Sequence, residues 1–158
     1  MISTIDKKRL RKKILDACVA RQQILIDDFK ERIKELTAGQ QTNHDESYDQ
    51  KDLAFNSMQT TEVNALNKEL EFANAELDIL RILHLSEDVA RDHVAPGAVV
   101  VTNHHTFFIS ASLEKFTVDG HLYIGISTSS PLYKAMEGKT KGETFSYSHI
   151  AYKIKDIF

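Results

Sequence analysis

The chain has one cysteine, Cys18, in 158 residues, which excludes an intrachain disulfide and removes the usual mark of an oxidising compartment. Cys18 lies on an apolar helical stripe, the place of a buried small hydrophobe rather than of a reactive thiol. No run approaches the ~20 apolar residues that cross a bilayer, and the basic start lacks the apolar core of a signal peptide. A cytoplasmic protein with no membrane partner is expected. An excess of charge of one sign is also missing. The formal net charge is -3, so overall charge gives no argument for nucleic-acid binding. Catalytic motifs are missing as well. No Gly-x-Ser-x-Gly elbow occurs. Gly138-Lys139-Thr140 imitates the end of a phosphate-binding loop, but the earlier glycine such a loop requires would fall at Tyr133, within a helical stretch. His104 and His105 are adjacent in a turn, a spacing expected to send their rings apart as exposed turn residues rather than metal ligands. No self-contained active site is expected, and so no enzyme.

Glycine and proline are scarce, at six and two residues, and two long stretches contain neither. From Asp6 to Thr37, Leu15, Cys18, Gln22, Leu25, Phe29, Arg32 and Leu36 recur at spacings of three and four, with Val19, Ile26 and Ile33 in a flanking row. This is a heptad seam with a widened apolar face. Asp6 is the expected cap and Gly39 the expected stop. From Asp52 to His84 a second seam runs through Val63, Leu66, Leu70, Ala73, Leu77, Leu80 and His84. A connection of roughly Ala38 to Lys51 is short enough to make the pair antiparallel. A coiled coil between two chains, serving as an adaptor, is the competing reading.

After Ser86 the composition turns to β-branched and aromatic residues. Ala98–Thr102 and Thr106–Ala111 read as a hairpin, Asp119-Gly120 as a turn, and Leu122–Ile126 as a further strand. Pro131–Glu137 reads as a short helix ended by Gly138, and Glu143–Tyr147 with Ile150–Ile157 as a closing strand pair. The fold class is therefore α+β. A long antiparallel helical hairpin over 1–86 precedes a small antiparallel sheet domain with one short helix over 94–158. Residues 94–158 are expected to fold alone.

Charge is unevenly distributed. Lys7, Lys8, Arg9, Arg11, Lys12 and Lys13 crowd the start, a solvated helix face or a contact for phosphate or a protein partner. Between the two helical stretches, over 42–52, lie Asp45, Glu46, Asp49 and Asp52. Acids three or four apart share a face on a helical turn and repel, unless a cation lies between them. Carboxylates of this kind suit a hard ion such as Mg2+. Without an ion they are a solvated loop with acids favoured near a helix start.

The stretch Ile126-Ser127-Thr128-Ser129-Ser130-Pro131-Leu132, with Ala135, Gly138-Lys139 and Gly142-Glu143 after it, resembles the C-terminal signature of the bacterial GreA/GreB transcript cleavage factors. Pro96-Gly97-Ala98-Val99-Val100 is similar to the first-strand entry of the same domain, and a hairpin with an acidic tip precedes that domain in the family. The resemblance implies an FK506-binding-protein-like sheet domain and a hairpin that enters the secondary channel of RNA polymerase. It implies that Asp45, Glu46 and Asp49 help hold an Mg2+ ion near the RNA 3′ end, no ion being bound stably by the chain itself. Ser127, Ser130, Pro131, Leu132, Gly138 and Lys139 would then touch polymerase, and the chain would act as a monomer in transcription elongation. DNA binding is expected with it. Asn43-His44-Asp45 matches the first part of the family's tip, but Tyr48 stands where its second acid falls, and Glu46/Asp49 supplies that spacing one residue later. Ser112–Asp119 lacks the family's usual Val-Gly and Glu-x-Asp residues. Relatives with altered tips occupy the same channel and inhibit or modulate instead.

Overall fold

The computed structural model describes residues 3–41 and 50–158, with side chains over 3–38 and 57–158. Asp45, Glu46 and Asp49 lie outside the described residues, as does the side chain of Asp52. Helix α1 spans Thr4–Gln41 and α2 spans Gln50–His84. Ser3, not Asp6, opens α1. Its Oγ accepts the Asp6 amide at 3.2 Å and donates to the Asp6 carboxylate at 2.6 Å, a reciprocal cap in which Asp6 is the third helical residue. At the other end α1 continues through Gly39. One glycine costs a helix about 1 kcal/mol, too little to stop 38 residues.

Two compact units result, Arg21–Ala75 and Met1–Ala20 with Glu76–Phe158. Within Arg21–Ala75 the helices run antiparallel. The Gln22 side chain donates to the Ala73 carbonyl at 2.9 Å, and Arg32 meets Glu62 at 2.8 Å. Partners on α2 thus recede as those on α1 advance. The buried stripe on α2 is the expected one, with Leu66, Ala73 and Leu77 inside and Val63 and Leu70 half-buried. On α1 the stripe changes rows after Gln22. Ile26 is buried, whereas Leu25 is 42% exposed and Arg32 lies at the surface. A straight helix drifts against a 3.5-residue repeat, so the seam passes to the neighbouring row.

The second unit is built on a six-stranded sheet. Its strands are β1 (Val99–Thr102), β2 (Thr106–Ser110), β3 (Leu113–Val118), β4 (His121–Ser127), β5 (Thr144–Tyr147) and β6 (Ile150–Ile157), with α3 (Pro131–Met136) between β4 and β5. The spatial order is β3-β4-β2-β1-β6-β5. The sheet is mixed, because β2 pairs with β4 in parallel, Phe107 opposite Ile124 and Ile109 opposite Ile126. An all-antiparallel sheet is thereby corrected. Strand β3 comes between these two in sequence and pairs on the outer side of β4, which leaves β2 and β4 pointing the same way.

Both faces of this sheet are covered. Successive residues on a strand point to opposite sides. Val99, Phe108, Phe116, Tyr123 and Phe158 therefore meet Ile14, Leu15 and Cys18 of α1 and Leu80 and Leu83 of α2. On the other side Val100, Phe107, Ile109, Ile126 and Ile154 meet Tyr133 and Met136 of α3. Double burial explains why Val99-Val100-Val101 and Phe107-Phe108-Ile109 are apolar without interruption. A fragment beginning at Val94 would lose the helical cover of one whole face. No helix among the described residues is long and apolar enough to cross a membrane.

Candidate functional site

The Ser127–Lys139 segment is a tightly bonded frame for α3. Ser127 Oγ accepts the Ser129 amide at 3.2 Å and pairs with Ser129 Oγ at 2.8 Å. The Ser127 carbonyl accepts the Ser130 amide at 3.0 Å. Ser130 is then the helix cap, its Oγ taking the Tyr133 amide at 3.1 Å. Pro131 follows at the first helical turn, where its missing N–H costs nothing and its fixed φ suits a helix. The helix ends at Met136, and two residues later Gly138, with a φ of +75°, turns the chain back. The Gly138 amide donates to the Val94 carbonyl, and the Val94 amide donates to the Lys139 carbonyl, at 3.0 and 2.8 Å. These two bonds tie the end of α3 to the entry of β1.

Of the six residues assigned to a docking surface, Ser127, Ser130, Leu132 and Lys139 are half-buried, and Pro131 and Gly138 are exposed. Leu132 packs on the core beneath α3. The structure brings all six to one segment. It gives Ser127, Ser130, Pro131 and Gly138 sufficient structural reasons for their identities. What faces solvent beside them is Thr128, Ser129, Lys134 and Glu137. The electrostatics nearby are mild. Burial pushes the Tyr133 phenol up, helped by the Glu137 charge. The Thr140 amide and hydroxyl, at 2.6 and 3.1 Å, hold the Glu143 carboxyl below its ordinary value, with Lys139 adding attraction. Such a surface can bind by shape and hydrogen bonding. It holds no nucleophile–base pair.

The basic start is largely occupied. Lys7 pairs with Asp156 at 2.8 Å, Lys8 with Asp88 at 2.7 Å, and Lys13 with Asp119 at 3.0 Å. Each partner lies on or beside the sheet domain, and Lys7 also sits over the Phe158 ring. Arg11 is buried and donates to the Glu87 carbonyl. Only Arg9 and Lys12 of the six are exposed without an ion pair among the described residues. They line a cavity of about 250 Å³ with Ile5, Lys8, Glu87 and Asp88. Most of this charge therefore fastens α1 to its own chain.

His104 is exposed in the turn as expected and His105 is half-buried, but their rings are not sent apart. Both rings rest against Tyr152, at 5.5 and 6.5 Å, in an aromatic group that includes Phe107 and Phe145. No group of three metal-ligating side chains occurs among the described residues. Two structural cations escaped the sequence reading, Arg11 and Arg91. Arg11 could have been found, because it stands three residues before Ile14 and four before Leu15 on the buried stripe. Arg91 has no local signal.

No protein-family model and no curated protein matches the chain. Among solved structures, GreA factor homolog 1 (Gfh1) of Thermus thermophilus is similar at 18% identity, over 89% of this chain and 94% of that one, with a TM-score of 0.34. Gfh1 of Thermus aquaticus is similar at 18% identity, over 87% and 92%, with a TM-score of 0.32.

Proposed function

We propose that this chain is a divergent factor of the GreA/GreB kind that acts on bacterial RNA polymerase through the secondary channel. The observation that carries the reading is the Ile126–Leu132 signature with Gly138-Lys139. In this fold it builds one cap-and-turn frame around α3, and in sequence it follows two long helices joined by an acidic segment. The sheet domain, which the family resemblance makes FK506-binding-protein-like, would grip the channel rim with the Ser127–Lys139 segment. The segment 42–52 would enter the channel. There Asp45, Glu46 and Asp49 would offer carboxylate oxygens of the kind that ligate Mg2+ or orient its waters. Polymerase would supply the active centre and cut its own backtracked RNA near the 3′ end, so the chain is a regulator rather than an enzyme. A cytoplasmic monomer fits this role.

Tyr48 favours a second reading. It replaces an acid at the position where the family's second tip carboxylate falls, which removes one ligand and adds bulk. A factor of that kind occupies the channel and inhibits or modulates without supporting cleavage. Competition for polymerase against a labelled Gre factor tests the shared part of both readings. Displacement at micromolar concentration is expected, and no displacement at any attainable concentration would leave the adaptor reading in its place. Adding a backtracked elongation complex then separates cleavage from occupancy.

A further inference from the structure

The segment between α2 and β1 has the composition of a flexible joint, with Ser86, Pro96 and Gly97 inside it, yet its bonding is that of a fastened one. Arg91 donates from one guanidinium to the Ser86 carbonyl at 2.9 Å, the Ser86 hydroxyl at 3.0 Å, the Pro96 carbonyl at 3.3 Å and the Val89 carbonyl. A planar fork with five donors closes a loop in this way where a lysine would not. Gly97 makes room for it. A Cβ on Gly97 would lie 2.6 Å from Arg91 Nη2, and its φ is +85°. From the other side Arg11 of α1, 4% exposed, donates to the Glu87 carbonyl. His84, the last residue of α2, faces Glu87 at 3.0 Å and Asp16 of α1 at 3.7 Å.

We propose that residues 84–97 form an arginine clasp that makes the helical base and the sheet domain one rigid body, so that the joint between them does not act as a hinge. Arg91 gathers the loop onto itself, Arg11 pins the loop to α1, and the cluster of Leu15, Leu80, Phe108 and Phe158 closes the layer beneath. The clasp is a positioning device, and it holds whatever the partner of the chain.

The test is a distance distribution by double electron–electron resonance on the full chain, with spin labels on Arg9→Cys and Lys134→Cys. Both positions are exposed, and Cys18, 0% exposed, stays unlabelled. The otherwise unmodified chain is expected to give one narrow distribution. Arg91→Ala and Arg91→Lys should broaden it at least about twofold and speed amide exchange over 86–96 about tenfold. Lys115→Ala, at an exposed position on β3 outside residues 84–97, should leave the distribution narrow. Several populations in the unmodified chain would overturn the clasp, and so would a distribution that stays narrow in Arg91→Lys. If Arg91→Ala does not fold, the unmodified chain and Arg91→Lys decide the matter.

Discussion

Leu25 and Ile26 are neighbours of equal hydrophobicity with opposite fates. Ile26 is 1% exposed and Leu25 42% exposed, so the same truncation should have different costs. Ile26→Ala is expected to destabilise by about 2–5 kcal/mol, as buried aliphatic truncations do. Leu25→Ala should cost less than about 1 kcal/mol. Urea denaturation of the two variants checks this, and equal midpoints would show that the stripe is misplaced. Glu143 gives a second prediction at this scale. Its folded pKa is depressed, first by the Thr140 amide and then by the Thr140 hydroxyl. The stabilisation it contributes is therefore present above the ordinary carboxylate pKa and is lost as pH falls through the lower folded value. Glu143→Gln should flatten that part of the acid limb of the stability curve, because the contribution lost on acidification is then already absent at higher pH. An acid limb identical in both chains would show that the Thr140 contacts do not form in solution.

Among the elements, α3 depends most on single residues. It has six residues, too few for intrinsic helix stability, so the Ser130 cap and the Pro131 start have to hold it. Ser130→Ala should cost about 1 kcal/mol and Ser130→Asn much less, which thermal unfolding of the two would separate. A Ser130→Ala chain as stable as the unmodified one would mean that Leu132 and Tyr133 packing alone seats the helix. The same comparison of elements shows what the sequence discloses. Pro131 after a serine run, Gly138, the Asp119-Gly120 turn and the uninterrupted apolar runs of β1 and β2 all read correctly, because each is a local rule obeyed locally. Strand β3 did not read as a strand. Its apolar residues Leu113, Phe116 and Val118 are out of step by one, and the ladder to β4 shifts register between Leu113 and Phe116; a period of two cannot be seen through a bulge. The parallel β2–β4 pair was equally hidden, since strand order is decided by tertiary packing. Of the candidate site, the frame around α3 was legible in serines, proline and glycine. The pairing of Lys7, Lys8 and Lys13 was not, because Asp156, Asp88 and Asp119 lie far along the chain.

For the whole molecule, the sheet is the middle layer of the larger unit, with helices on both faces. Removing residues before Val94 would expose Val99, Phe108, Phe116, Tyr123 and Phe158 together. At about 25 cal/mol per Å² of apolar surface, uncovering one whole face exceeds the margin of a small domain. The fragment 94–158 is expected to aggregate or to bind a hydrophobic dye, and a sharp, dispersed NMR spectrum from a monomer would contradict this. Docking tests on this chain therefore need α1 and α2 present. They also allow Asp45, Glu46 and Asp49 to be varied independently of the Ser127–Lys139 segment, which is distant in sequence.

That separation makes a backtracked elongation complex the most direct measurement. With Mg2+ present, the unmodified chain is expected to change the fate of the stalled RNA, either by raising its cleavage or by blocking extension. Asp45→Ala, Glu46→Ala and Asp49→Ala should each bind polymerase nearly as well as the unmodified chain, and at least one should lose most of that effect. RNA that behaves alike with no factor, with the unmodified chain and with all three variants, at concentrations where the chain is bound to polymerase, would contradict the account.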